Sequence, residues 1–245
     1  MRSEDMRIVY ELDTFRFSQA WEEIVHLIKE QGFPLGGYKL NEEESLDLEQ
    51  IGRRLDPDRT KAFNLQGHGL EFESGCVRNS HLDFLQVQSD SETTLPWDDC
   101  AAKFIGSPHF VMAWVADTEY EFWQNAEDLL HYTSRGKPYE HLPQKSNELP
   151  YPLERTIIDI SANPGRTIFR EGYFEVVGSL MWLGEPFWKL AGAEKSKVQN
   201  TDWLSISKPL PSVLRIEAYP KNFTTDVGEE GKLQRKLRSL LFNVS

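Results

Sequence analysis

The run Gly172-Tyr-Phe-Glu-Val-Val-Gly-Ser-Leu-Met-Trp-Leu-Gly-Glu-Pro-Phe-Trp-Lys-Leu190 constrains this chain more than any other stretch. It holds two of the seven tryptophans and has no lysine or arginine before Lys189, so its first half can leave water on both faces. Only Glu175 interrupts it. The pattern predicts a central strand around which the rest packs. Gly178 admits a neighbouring backbone or a large side chain, and Gly184 with Pro186 ends the strand and opens a short helical turn carrying Phe187 and Trp188.

A chain of 245 residues can enclose such a run, since a compact fold of that size buries roughly 70% or more of its unfolded surface. On the amino side, residues 6–13 alternate as a first strand. Ala20, Trp21, Ile24, Val25 and Ile28 then recur at helical spacing behind Ser18 as a cap. Asn41 to Leu55 reads as a second, strongly charged helix with Leu48, Ile51 and Leu55 as its apolar stripe, stopped before Pro57. Lys61 to Gln66, Leu70 to Ser74 and Leu82 to Gln88 form a strand meander, and Leu95 to Gly106 a short helix. Phe110 to Ala116 reads as a buried strand, followed by a helix from Thr118 to about His131 opened by a Thr118/Glu121 capping box.

Pro138, Pro143, Pro150 and Pro152 make 134–152 a linker or long surface loop. The expected organisation is an amino-terminal lobe over 1–133 and a carboxy-terminal lobe over 153–245, sharing one core or forming a single domain. Beyond the central strand lie a short polar helix at Ala193 to Asn200, strands at Trp203 to Ile206 and Ser212 to Tyr219, and a last helix. That helix is capped by Asp226 and Glu229, with Leu233, Leu237, Leu240 and Leu241 opposite Lys232, Arg235, Lys236 and Arg238. The fold class is α+β: a mostly antiparallel sheet flanked by helices.

Charge narrows the partners. With 27 basic and 39 acidic residues the formal net charge is -12, which disfavours sequence-independent binding to nucleic acid or to anionic membranes and favours basic partners. The basic face at Lys232 to Arg238 has Glu229 and Glu230 alongside and reads as a solvated helix face. Met1 to Tyr10 carries charge where a signal peptide needs an apolar run, and no window approaches the roughly 18 apolar residues of a membrane span, which predicts a cytoplasmic chain.

Catalytic signals are weak. The nearest nucleophile and base are Cys76 or Cys100 with His68, His81 or His109. Cys100 falls in the first turn of a helix, where the dipole favours thiolate, but Asp98 and Asp99 beside it oppose this; both cysteines read as buried, inert thiols. His68, His81 and Asp83 lie on a meander able to gather them around a metal, without a recognised ligand spacing. Glu171 with Glu175, and Asp98 with Asp99, read as solvated charges rather than an acid and base pair. No nucleophile elbow, phosphate loop or dinucleotide fingerprint is present, and no cofactor or metal is expected.

The acidic run Glu42, Glu43, Glu44, Asp47 and Glu49 stands out, relieved only by Arg53 and Arg54. It suits a recognition face for a basic protein, as does the mix of anchor and acid at Trp97, Asp98 and Asp99; a solvent-facing helix is the plainer alternative. The run from Gly172 to Trp188, with Trp203-Leu and Phe223-Thr-Thr-Asp-Val-Gly-Glu-Glu-Gly-Lys-Leu-Gln-Arg-Lys-Leu-Arg238, resembles immunity proteins of bacterial polymorphic-toxin and type VI secretion systems. The resemblance covers about the last third of the chain. It implies a cytoplasmic, non-enzymatic protein that binds one cognate toxin and occludes its active site. The alternatives are an enzyme of unrecognised family, a hydrolase using His68, His81, Asp83 or Cys76, and a structural or scaffold subunit.

Overall fold

The computed structural model describes residues 3–15, 17–55, 60 and 62–242. In chain order come β1 (Glu4–Glu11), α1 (Phe17–Glu30), β2 (Tyr38–Leu40), β3 (Ser45–Leu46), α2 (Leu48–Arg54), β4 (Phe63–Gly67), β5 (Leu70–Val77), β6 (Leu82–Ser89), α3 (Trp97–Phe104) and β7 (Phe110–Asp117). Next are α4 (Thr118–Asn125), α5 (Leu129–Ser134), β8 (Gln144–Ser146), β9 (Thr156–Ile158), β10 (Ile168–Arg170) and β11 (Tyr173–Glu175). The last are β12 (Leu180–Leu183), α6 (Glu185–Ala191), α7 (Lys195–Gln199), β13 (Ser205–Leu210), β14 (Val213–Glu217) and α8 (Gly228–Leu241). Ten strands make one antiparallel sheet in the order β13-β14-β12-β7-β1-β6-β5-β4-β2-β3, while β8–β9 and β10–β11 are small hairpins. The α+β class and the helix-flanked antiparallel sheet are as expected.

The register shows how the two faces are covered. One row of side chains runs Leu65, Phe72, Val87, Met6, Val115 and Leu180, apolar from β4 to β12, and then reaches Glu217 and Ser205. The row on the other face runs Asn64, Glu73, Gln86 and Arg7, and only from Trp114 onward becomes apolar, through Met181, Ile216 and Ile206. The two cores are therefore staggered and share the central strands β1 and β7. The first is closed by α1, α2 and α3 through Ile24, Leu27, Ile51 and Phe104, and the second by α6, α7 and α8 through Phe187, Val198 and Leu237. A satellite cluster of Ala126, Tyr132 and Ile158 holds α5 and the β8–β9 hairpin.

Several expected elements take another form. The run 172–190 is buried nearly throughout its first half, but it is two strands, β11 and β12, joined at 176–179, and β12 lies third from one edge of the sheet. The break falls at Gly178, where an added Cβ would lie 2.9 Å from the Val115 carbonyl oxygen and 3.0 Å from the Trp114 Cβ, the close approach its position implied. Asn41 to Leu55 is not one helix: Tyr38 to Leu46 is the β2–β3 hairpin, with Asn41 and Glu42 at positive φ in its turn, and the helix starts only at Leu48. The turn is fixed where Asn41 bonds across to Asn64 of β4. Thr118 to His131 breaks between Asn125 and Leu129, with Asp117 rather than Thr118 capping α4 through the Tyr120 N–H. Glu121 then turns inward. Lys61 lies outside the described residues.

Candidate protein-binding surface

Where the second core stops, half of one sheet face is left uncovered. Period-two alternation places Lys39 of β2, Asn64 and Gln66 of β4, Glu71 and Glu73 of β5, and Gln86 and Gln88 of β6 side by side on it, all partly or fully exposed. The Glu71 carboxylate organises the middle, accepting from Asn64 Nδ2 at 2.6 Å and Gln66 Nε2 at 3.0 Å. Along the strands the tray is closed by the β10–β11 hairpin, whose Gly172 N–H donates to the Ser80 carbonyl at 2.6 Å.

Its inner wall is ionic. Arg7 bridges two carboxylates, Asp5 through Nε to Oδ2 at 3.1 Å and Glu121 of α4 through Nη2 to Oε2 at 2.8 Å, and Gln86 Nε2 donates to Asp5 Oδ2 at 2.9 Å. Asp5 is buried, and loss of hydration raises its carboxyl from the ordinary range to about 7, with Arg7 opposing and Glu121 and Asp117 adding to the rise. Glu121 is raised for the same first reason. Because the folded chain holds this proton more tightly than the unfolded chain, stability is expected to fall as pH rises from about 4 to about 7. Asp5→Asn should flatten that fall. Melting temperatures across this range check it, and an identical slope in both proteins would refute it.

The outer rim is the acidic hairpin. Glu42, Glu43 and Glu44 occupy the β2–β3 turn, which is tied to the tray where Asn41 N–H donates to the Asn64 carbonyl at 2.8 Å and Asn41 Oδ1 accepts from Asn64 N–H at 2.9 Å. Arg54 returns toward this turn, 3.5 Å from Glu43 and 3.0 Å from Glu44, and Arg53 pairs with Glu49. Asp47 precedes α2, its N–H donating to Gln50 Oε1 at 3.1 Å. Glu71 and Glu73 of β5 thus join the Glu42 to Glu44 turn in an acidic strip that Lys39, Asn64 and Gln66 interrupt. The alternation of Glu71 and Glu73 with Leu70 and Phe72 is plain in the sequence, but whether that face is covered is not.

The other anticipated residues do not join this surface. Trp97 is partly buried and donates to Glu4 Oε2 at 3.0 Å, and Asp98, though exposed, accepts from Arg215 Nε at 2.6 Å and Nη2 at 3.0 Å, so both tie α3 into the fold, whereas the exposed Asp99 does not. Glu175, expected solvated, is buried between Arg170 and Arg238; Arg238, expected on the solvated basic face, is 4% exposed.

The hydrolase and metal candidates are not gathered. His68 lies in the β4–β5 turn and His81 after β5, at opposite ends of an eight-residue strand about 25 Å long. Asp83 is buried and accepts from the Thr14 and Phe15 N–H groups, both at 3.1 Å. Cys76, expected buried, is exposed, whereas Cys100 is buried, which pushes its thiol up to about 12 with Asp99 adding to the rise. His109 pairs with Glu11 at 2.6 Å. Among the described residues no three His, Cys, Asp or Glu side chains are placed to hold a metal ion, and no helix is long and apolar enough to cross a membrane.

No family model matches the chain, and no curated protein matches its sequence. Among solved structures, the Pseudomonas aeruginosa T6SS protein PA0821 is similar, with a TM-score of 0.53 at 9% identity, over 98% of this chain and 74% of that one. The likeness is one of fold. It runs through both halves, including the half in which the sequence shows no resemblance.

Proposed function

We propose that this chain is a cytoplasmic protein-binding protein whose partner is basic, and that it acts as an immunity protein, neutralising a cognate toxin by covering its active site. The observation that carries the reading is the acidic strip, Glu42 to Glu44 with Glu71 and Glu73, on the uncovered half of one sheet face. A net charge of -12 and a surface of this kind speed association with a cationic protein, while the side-chain amides of Gln66, Gln86 and Gln88 offer directional hydrogen bonds once it docks. The fold likeness to a T6SS protein supports a role in that secretion setting, as does the resemblance carried by residues 172–238.

The test is recovery of the partner on the tagged chain from lysate of its own cells at low and high salt, then affinity measurement. Reversal of the strip by Glu71→Lys and Glu73→Lys, with Glu43→Lys and Glu44→Lys, is expected to weaken binding about tenfold or more at low salt and to flatten its salt dependence. A partner bound equally well, with the same salt dependence, would remove the strip from the interface.

A further inference from the structure

The β8–β9 hairpin carries a feature that the acidic strip does not use. Its connection, Asn147-Glu-Leu-Pro-Tyr-Pro-Leu-Glu-Arg155, turns three large apolar side chains to solvent: Tyr151 is 90% exposed, Leu153 64% and Leu149 49%. Here the backbone is held open. Asn147 N–H donates to the Arg155 carbonyl at 3.0 Å, and its side-chain oxygen accepts from the N–H groups of Arg155 at 3.0 Å and Leu149 at 3.3 Å. Its Nδ2 donates to the Leu153 carbonyl at 2.9 Å, and Leu153 N–H closes a turn on Pro150 at 2.9 Å. Two prolines restrict what remains. One asparagine side chain thus spans the loop from base to tip and keeps the three side chains outward.

The charges around the loop are sorted by sign. The cations at its base are used internally, Arg155 on Asp128 at 2.8 Å and Lys145 on Asp159 at 3.2 Å. Glu148 and Glu154, which flank the apolar residues, are exposed and form no ion pair among the described residues. The loop therefore presents Leu-Pro-Tyr-Pro-Leu between two free carboxylates.

We infer that this loop is a preorganised plug that enters an apolar-walled cleft with a basic rim in the partner protein. The inference rests on the proposed role as a binder of a basic protein, and it supplies the desolvated aromatic anchor that the polar strip lacks. Tyrosine buries a large area while losing few rotatable bonds, and a loop already held in its bound shape loses little further entropy on docking. A second copy of this chain does not suit the loop. Two convex tips with like charges repel, and one short loop against itself falls far below the roughly 1,200–2,000 Å² of a stable interface.

The test uses the partner recovered above, purified, against the full-length chain. Tyr151→Ala with Leu153→Ala is expected to raise Kd about a hundredfold through faster dissociation, leaving the salt dependence intact. Glu148→Gln with Glu154→Gln should raise Kd severalfold and flatten it. These side chains are exposed, so the variants keep the wild-type melting temperature. Wild-type affinity in the Tyr151/Leu153 variant, with the Glu71/Glu73 reversals still weakening binding, overturns the plug and leaves the acidic surface standing. Failure of the wild-type chain to bind any basic partner overturns both. A wild-type dimer in sedimentation that the same double substitution converts to monomer assigns the loop to a second copy and also overturns the plug.

Discussion

Replacing Arg238 with alanine is expected to cost about 3–5 kcal/mol of stability, although its place in a lysine- and arginine-rich helix suggests a surface charge. Its guanidinium lies beneath α8 and makes three directed contacts: Nη1 to Glu175 Oε1 at 2.8 Å, Nε to the Pro164 carbonyl at 3.1 Å, and Nη2 to the Arg166 carbonyl. Burial pulls its pKa down to about 10, with Arg166 acting in the same sense and Glu175 opposing, so it remains charged at neutral pH. Glu175, on β11, also receives Arg170 through Nε at 2.9 Å and Nη2 at 2.7 Å. Alanine at 238 therefore leaves a buried carboxylate with one half-exposed arginine, and two carbonyls without their donor. The cost comes mostly from what is stranded rather than from the ion pair itself. Arg238→Ala combined with Glu175→Gln should accordingly lose less than the sum of the two single substitutions. Urea unfolding of the four proteins measures this coupling. A loss below about 1 kcal/mol for Arg238→Ala would show that the site relaxes to admit water.

Trp182→Ala is expected to cost about 3–5 kcal/mol, from lost burial and an unfilled cavity. Trp182 is 1% exposed on β12, between Ala113 of β7 and Arg215 of β14 in register, and belongs to the first core, while its neighbours Met181 and Leu183 belong to the second. The cavity would open where the two staggered cores meet, on a four-residue strand paired on both sides by β7 and β14. With ordinary domains stable by about 5–15 kcal/mol, the variant should unfold at a much lower urea concentration with an unchanged m-value. Trp182→Phe keeps most of the apolar volume and should lose markedly less. Equal losses for phenylalanine and alanine would mean that indole shape, rather than filled volume, sets the stability there.

Position, more than composition, separates what could be read in advance from what could not. The meander of β4, β5 and β6, the amphipathic stripes of α1 and α8, and the close approach at Gly178 follow from periodicity and from glycine, properties of a few adjacent residues. Residues 41–46 form a hairpin where the sequence predicts helix, because a run of acids has no apolar period to distinguish the two; Asn41 bonding across to Asn64, 23 residues away, decides the turn. Arg238 shows the same limit. Its neighbours Lys232, Arg235 and Lys236 are exposed, and only the arrival of Glu175 and the 164–166 carbonyls over its position turns the fourth cation inward.

The candidate surface divides in the same way. By itself the sequence determined that Glu71 and Glu73 share a face, that Glu42 to Glu44 are clustered, that 134–152 is rich in proline, and that the chain as a whole is acidic. Only the tertiary structure decided that α6, α7 and α8 stop short of β4, β5 and β6, leaving that face open. The reason is physical: alternation along a strand specifies which side chains travel together, but whether they meet water or protein depends on the reach of elements far along the chain, which no local pattern encodes.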